Sequence, residues 1–346
     1  MRPVEPVEAL ERIAYLLDRA REKPYKPRAY LRAAEVVKGL EPGELDRRIA
    51  AGTLTELEHI GPKTAAVIVE SAAGNVPEYL VHLEEATGVT PGVGAELLAA
   101  LRGDCHTHST WSDGGADIET MARAGRALGH EYMVLTDHSP RLTIANGLSA
   151  ERLREQLGVV SGLNDVFAAE AAAGDAQPFR LLTGIEVDIL DDGALDQDEG
   201  LLAELDIVVA SVHSKLRMEK TPMTRRMCVA AANPHVDILG HCTGRIVVGR
   251  GRPESLFDPE LVFHACEQFG TAVEINCRPE RLDPPMRLLD VAVEMGCRFS
   301  IDTDAHAPGQ LEWQPYGADR GAEAGVTADR VINTQPLEDL LAGRSG

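Results

Sequence analysis

Gly103-Asp104-Cys105-His106-Thr107-His108-Ser109-Thr110-Trp111-Ser112-Asp113 is the stretch from which the rest of the chain can be read. Residues 104–108 have the composition of a short strand. Side chains two apart on a strand share a face, so His106 and His108 can bind one metal ion together. Asp113, a few turn residues later, can reach a second. Alone, a His-x-His triplet is weak evidence. What strengthens it is recurrence: a strand followed by His, Glu or Asp at its end.

Working outward, strands are expected at 104–108, 132–136, 180–185, 207–211, 238–241, 272–275 and 299–302, with helices at 117–128, 150–173, 224–232, 259–269 and 285–295. Repeated strand–helix alternation predicts a closed parallel α/β barrel. Such barrels carry their chemistry at the C-terminal ends of the strands. There stand His106, His108 and Asp113, then Asp137-His138, Glu186-Val187-Asp188, His213, His241, Glu274-Ile275-Asn276 and Asp302-Thr303-Asp304-Ala305-His306. The chain has 11 histidines, and most of them fall in these corners, which chance placement of satisfied polar residues does not explain.

The segments Asp104-Cys105-His106-Thr107-His108-Ser109, Thr136-Asp137-His138, Gly184-Ile185-Glu186, Ser211-Val212-His213-Ser214, Gly240-His241 and Asp304-Ala305-His306 occur in the order seen in the PHP ("polymerase and histidinol phosphatase") metallohydrolases. The pattern resembles that family, in particular the PHP domain attached to bacterial family X DNA polymerases, through about residue 335. The resemblance implies a distorted seven-stranded (βα) TIM-like barrel, the PHP fold, with up to three divalent ions. It implies a first ion on His106, His108, Glu186 and Asp304, a second on Glu186, His213 and His241, and a third on Asp113, His138 and His306. Glu186 bridges the first two. Imidazole and carboxylate ligands suit Zn²⁺, Mn²⁺ or Fe; without thiolates, Mn²⁺ and Zn²⁺ lead.

Paired ions can polarise a phosphoryl oxygen and activate water for in-line attack, with Glu186 setting their spacing. Cations are expected to hold the remaining phosphate oxygens: Lys215 and Arg217 after His213, and Arg245 after His241 as a phosphate clamp with a catalytic role. Asp137, Glu274 and Asn276 are expected to orient ligands from behind. Trp313, Pro315 and Tyr316 are expected to pack in the core or at the rim, 331–333 to form a last short strand and 337–341 a last helical turn.

Residues 1–102 carry helical periodicity throughout, with helices expected at 6–21 and 27–38. Arg19, Arg21, Lys23, Lys26, Arg28, Arg32 and Lys38 form the one dense basic cluster of the sequence. Residues 54–68, with Gly61-Pro62-Lys63-Thr64 at their centre, read as a helix-hairpin-helix whose turn can offer backbone N–H groups to a DNA phosphate. Residues 90–98, with Gly92 and Gly94, are a weaker second copy. This part resembles the small DNA-binding domain of family X polymerases, which implies DNA contact; the candidate contacts are Gly61, Lys63 and Thr64 in the hairpin and Lys26, Arg28 and Arg32 in the basic cluster, whose alternative reading is the solvated face of a helix pair. It departs from that pattern at His59, where the first turn glycine is expected, and at Val67, where lyase-active members carry a lysine. Two domains are therefore expected, an all-helical 1–102 and a barrel 103–346. The short gap between the hairpin region and His106 leaves no room for a polymerase palm.

The net charge of −21 excludes a nucleic-acid coat or a basic tail protein. No apolar run approaches the roughly 18 residues of a membrane span, and the N-terminus lacks a signal-peptide core, so a cytoplasmic protein is expected. The 6 cysteines form no C-x-x-C pair, so Cys105, Cys242 and the rest are expected to pack rather than bind zinc. The combination predicts a metal-dependent phosphoesterase on DNA ends: a 3′–5′ exonuclease, or 3′-end processing in DNA repair. The alternatives are a small-molecule phosphatase of the histidinol-phosphate type and a non-catalytic DNA-binding module.

Overall fold

The computed structural model describes residues 3–343. Its contacts divide the chain into two units, 3–89 with Ala307–Gln310, and Thr90–His306 with 311–343. The division falls ahead of the expected 102/103 boundary. Leu97, on the helix Ala95–Ala100, is part of the large barrel core, and a Cβ on Gly94 would lie 2.4 Å from the amide nitrogen of Asp319.

The helical unit holds helices Pro6–Arg19, Tyr25–Lys38, Glu44–Ala51, Pro62–Ala72 and Glu78–Thr87. Leu10, Ile13, Leu16 and Leu17 recur at helical spacing and are fully buried, packing with Tyr30, Ala33, Ala34, Val67 and Ile68. The first helix stops at Arg19 rather than 21, because Arg21 turns into the left-handed region at φ 56°. In the hairpin, His59 adopts φ 67°. That region favours glycine, and holding a larger residue there costs roughly 1–2 kcal/mol. Gly61 then precedes the helix Pro62–Ala72, and its N–H donates to Thr64 Oγ1 at 3.0 Å.

In the second unit, among the described residues, seven strands run parallel in sequence order: β1 Gly103–Thr107, β2 Tyr132–Leu135, β3 Arg180–Asp188, β4 Ile207–Ser211, β5 Ile238–Leu239, β6 Ala272–Asn276 and β7 Phe299–Asp302. Nearly every strand residue is buried, as expected for a sheet covered on both faces. Helices are capped where the sequence allows: Asp117, Ser149 and Asp258 each accept a backbone N–H of the first turn. The sheet is a nearly closed barrel. At its upper end the His108 N–H donates to Ala305 O at 2.8 Å. Lower down, the expected strand 331–333 is instead a tight turn, Ile332–Thr334, with Val331 alone bridging Phe299. A side chain replaces that strand. Asn333 Nδ2 donates to Gly103 O at 3.0 Å and Ile301 O at 2.8 Å, and Asn333 Oδ1 accepts from Ile301 N at 3.1 Å. The last helix, Leu337–Ala342, is where a helical turn is expected. Trp313 is fully buried in the barrel core, and Tyr316 is partly exposed. The cysteines are free thiols, and Cys105 and Cys242 are buried. Among the described residues no helix is long and apolar enough to cross a membrane.

Candidate metal centre

β1 delivers His106 and, one residue past its end, His108; β3 delivers Glu186 inside the strand. Gly240 lets β5 approach β4 closely just before His241, since a Cβ there would lie 2.3 Å from Ser211 Oγ. Asp304 sits beyond β7 at φ 52°, a left-handed conformation that aspartate tolerates better than most residues.

Glu186 is the hub. Its Oε2 lies 3.4 Å from His106 Nε2, 3.6 Å from His108 Nε2 and 2.8 Å from His138 Nδ1. Its Oε1 lies 3.2 Å from His213 Nε2 and 2.9 Å from His241 Nε2. The two oxygens thus face two separate sets of nitrogens. His108 Nε2 is also 3.4 Å from Asp304 Oδ1. A third grouping lies beside these: Asp113 Oδ1 is 3.4 Å from His138 Nε2 and 3.3 Å from His306 Nε2. The expected ligands of all three ions are therefore brought together around Glu186 and Asp113. His138 is shared between groupings, which the expected assignment gave to the third ion alone.

The contacts of Glu186 are not hydrogen bonds. Both Glu186 oxygens, both His108 and both His213 ring nitrogens, His106 Nε2 and His138 Nδ1 are buried without a hydrogen-bond partner among the described residues. Such atoms normally find partners, and leaving them unpaired costs free energy. Lone pairs converging on common points at these distances suit shared cations, so the donor set fits divalent ions. Electrostatics agree. Burial pushes the Glu186 carboxyl up, but the neighbouring His213, His106 and His138 hold it well below its ordinary value. Burial, together with His306 and His138, drives His108 well below its usual value, toward the neutral ligating form. Burial also raises Asp113, yet His306 and His138 outweigh it.

Behind the ligands, Glu274 Oε1 accepts from His106 Nδ1 at 2.6 Å, which turns Nε2 toward Glu186. Its Oε2 accepts the His241 backbone N–H at 2.5 Å. Asn276 Nδ2 reaches Glu274 Oε2 and Asp304 Oδ2, each at 3.2 Å. Asp137 does not support His138. It accepts from Ser109 N at 2.8 Å, Ser109 Oγ at 2.6 Å, Ser112 Oγ at 2.5 Å and Gln156 Nε2 at 2.7 Å, and so fixes the loop between His108 and Asp113. Asp188 accepts the His213 N–H at 3.1 Å.

The expected phosphate cations are placed differently. Lys215 is exposed and paired with Asp191, and Arg217 is exposed. The Arg245 guanidinium is committed to the protein's own oxygens: Nε donates to Arg281 O at 2.9 Å, Nη2 to Leu282 O, and Nη1 reaches Glu254 at 3.3 Å. It braces a turn instead of facing an anion. Two arginines that sequence reasoning missed do reach the ligands. Arg278 Nη1 is 3.3 Å from Asp304 Oδ1 and 2.9 Å from His306 Nδ1, and Arg281 Nε is 3.2 Å from Asp304 Oδ2. Their signal was position: they follow Asn276 directly, beyond the end of β6, where ligands and their helpers cluster.

The sequence has relatives among known proteins. Residues 104–246 match the PHP domain model. A probable phosphatase of Thermoanaerobacter sp. (strain X514) is 30% identical over 247 residues, covering 67% of this chain and 89% of that protein. The chain belongs to the PHP family. Residues 1–77 match a helix-hairpin-helix domain model. The DNA polymerase/3′-5′ exonuclease PolX of Bacillus subtilis is 39% identical over 245 residues, 71% of this chain; the chain spans 41% of PolX's length. The structure of a histidinol phosphate phosphatase from Lactococcus lactis is similar with a TM-score of 0.45 and 19% identity, over 65% of this chain and 94% of that one.

In the helical unit of this PHP protein, Lys26, Gly61, Lys63 and Thr64 share the lining of a cavity of about 360 Å³ with Tyr25, Tyr30, His59 and Tyr79. Lys63 is exposed, Thr64 is buried, and Lys26 is paired with Glu22 at 2.7 Å. Arg28 and Arg32 are exposed and lie outside that lining. The second hairpin differs. The Gly92 N–H donates to both Asp319 oxygens, at 2.8 and 3.0 Å, and the Gly94 N–H to Oδ1 at 2.8 Å. A carboxylate already holds the amides expected to take a phosphate, so 90–98 is a docking turn.

Proposed function

We propose that this chain is a metal-dependent phosphoesterase acting on DNA ends, removing nucleotides or a phosphate at a 3′ terminus, with the helical unit gripping the DNA backbone. The observation that carries the hydrolase is Glu186: a buried carboxylate with both oxygens unpaired among His106, His108, His138, His213 and His241. The DNA assignment is supported by the hairpin around Gly61 and Lys63 and by the likeness to PolX.

His106, His108, Glu186 and Asp304 would hold one ion, Glu186, His213 and His241 a second, and Asp113, His138 and His306 a third, with Mn²⁺ or Zn²⁺ suiting the donors. Bound there, divalent ions supply Lewis acidity toward a phosphoryl oxygen and make water a nucleophile near neutral pH. The protein's part is positioning. Glu186 keeps its two oxygens on different nitrogen sets. Glu274 fixes the His106 ring and the His241 backbone, and Asn276 steadies Asp304. Asp137 holds the Ser109–Ser112 loop so that Asp113 stays near His138 and His306. The chain passes from the helix Ala95–Ala100 straight to β1 at Gly103, and we assign it no DNA polymerisation.

A small-molecule phosphatase of the histidinol-phosphate type is the second reading, favoured by the probable phosphatases whose length is largely spanned by this chain. The test is incubation of purified protein with Mn²⁺ and 3′-end-labelled single-stranded or nicked DNA, alongside histidinol phosphate. Shortened or dephosphorylated DNA with wild type, and none with Glu186→Ala, supports the first reading. Untouched DNA with turnover of histidinol phosphate selects the second. No turnover in a metal-free protein that still binds DNA leaves a binding module.

A further inference from the structure

Two loops leave the barrel at the end where the candidate ligands stand, and each holds apolar side chains out in solvent. The first runs from His138 to Ser149. Its ends are tied: the Leu148 N–H donates to His138 O at 2.7 Å, and a Cβ on Gly147 would lie 1.9 Å from Ser139 O. Asn146 Nδ2 and Arg152 Nη2 donate to Trp111 O at 3.1 and 2.5 Å, which fastens the loop to the turn that carries Asp113. Within this frame Ala145 and Leu148 are buried, yet Ile144 is 94% exposed. The second loop follows His241. At its base the Ser255 N–H donates to Thr243 O at 2.8 Å. Above that, Ile246 and Arg252 exchange backbone bonds of 3.0 and 2.9 Å, and the Val247 N–H donates to Glu280 O at 2.7 Å. Gly249 at φ 61° and Gly251 at φ 66° turn the tip, which exposes Val247, Val248 and Arg250. Glu254 is taken by Arg245 and Arg287, and Arg250 has no hydrogen bond or ion pair among the described residues.

A loop free to collapse would cover its aliphatic side chains, since removing them from water is favourable. Both loops are cross-braced instead, so their tips stay exposed. β2 and β5 are three strands apart in the seven-stranded order. That is as far apart as a closing ring of seven allows, so the loops rise on opposite sides of the barrel mouth. Apolar tips beyond a ring of ligands suit a substrate that extends past its phosphate. A DNA strand does so. Its bases offer flat apolar faces, against which aliphatic side chains pack as wedges, and its neighbouring phosphates offer a charge to an uncommitted arginine. We propose that Ile144 and the Val247–Val248 tip contact the unpaired terminal bases of a DNA strand whose 3′ end lies in the metal centre, with Arg250 on an adjacent backbone phosphate. The substrate class is therefore a single-stranded or frayed 3′ end rather than a compact phosphate ester. This deepens the DNA-end reading and rests on it.

The experiment uses the full-length, metal-loaded protein and 5′-labelled single-stranded DNA, either normal or abasic over its last few 3′ nucleotides. Shortening is followed by steady-state kinetics, and bound metal by elemental analysis. The side chains changed are exposed, so the substitutions spare the core. Ile144→Ser, and Val247→Ser combined with Val248→Ser, should keep wild-type metal content and raise KM on normal DNA about 5- to 10-fold, the loss of one partly buried aliphatic contact. On the abasic strand they should match wild type, because the bases they contact are gone. Arg250→Ala should weaken both strands alike and lower the slope of log affinity against log salt by about one. Unchanged KM on normal DNA in both tip variants overturns the proposal. An equal loss on normal and abasic DNA, or a loss of metal, also overturns it, since either would make the tips structural. An unchanged salt slope in Arg250→Ala overturns the phosphate contact. Wild-type protein that turns over histidinol phosphate but leaves both strands intact would sink the DNA-end reading itself.

Discussion

The barrel's ligand cluster and the basic cluster of the helical unit are both rich in ionisable side chains, but they are in opposite states. Around Glu186 the charges are buried and unpaired. Between Arg19 and Lys38 many are satisfied by neighbours: Lys26 by Glu22 at 2.7 Å, Lys38 by Glu11 at 2.7 Å and Glu35 at 2.8 Å, and Arg19 by Thr87 at 2.9 Å. The Lys26 and Lys38 pairs are exposed, and such pairs contribute little to stability and are screened by salt. A buried set without partners requires something to complete it. Burial and missing partners, rather than local density of charge, therefore mark which cluster is built around a resident ligand.

Breaking the buried set should have the largest effect. Glu186→Ala removes a ligand from two groupings at once, and the rate on a phosphate ester should fall by about 10³ or more, since each lost ion withdraws several kcal/mol of transition-state stabilisation. Steady-state kinetics at saturating Mn²⁺ read this. Glu274→Gln leaves every ligand in place but unsettles the His106 ring, and should weaken metal by about 10- to 100-fold, measured by competition with a chelator.

In the helical unit a carboxyl shifts the opposite way from Glu186. Burial raises the Asp18 carboxyl to about 7, against the opposing charge of Arg28. A raised carboxyl binds its proton more tightly when folded, so its stabilisation is complete below the unfolded value near 3.8 and is lost as pH rises through about 7. Thermal melts of the full chain should show a helical transition about 2 kcal/mol weaker at pH 8 than at pH 5, and Asp18→Asn should flatten that difference. The smallest effect belongs to Lys63→Ala. DNA affinity should fall only a few-fold, and the slope of log affinity against log salt should drop by about one, read by fluorescence anisotropy across a salt series. An unchanged slope would remove the hairpin from the DNA contact.

Much of the centre could be read in advance because strand ends announce themselves. Period-two geometry and chain order pick out the strand ends where His106, His108, Glu186, Asp304 and His306 stand, and the resemblance to the PHP family selects the expected ligands among the many ionisable residues there. What stayed hidden depends on partners that are distant in sequence. Arg245 after Gly244 looks like an anion clamp until the carbonyls of Arg281 and Leu282 are found on it. Asp137 adjoins His138 in sequence, yet its hydrogen bonds go to Ser109, Ser112 and Gln156. Gly92-Val93-Gly94 has the spacing of a phosphate-binding turn whether its amides meet a phosphate or, as here, Asp319. The stretch 331–333 has strand-forming residues, but Asn333 closes the barrel with its side chain.

The convergence around Glu186 is tested most directly by elemental analysis of the purified protein after loading with Mn²⁺ or Zn²⁺ and exhaustive dialysis. At least two bound ions per chain in wild type, with a clear loss in Glu186→Ala, is the predicted result. A wild-type chain that retains no stoichiometric metal under either loading would contradict it.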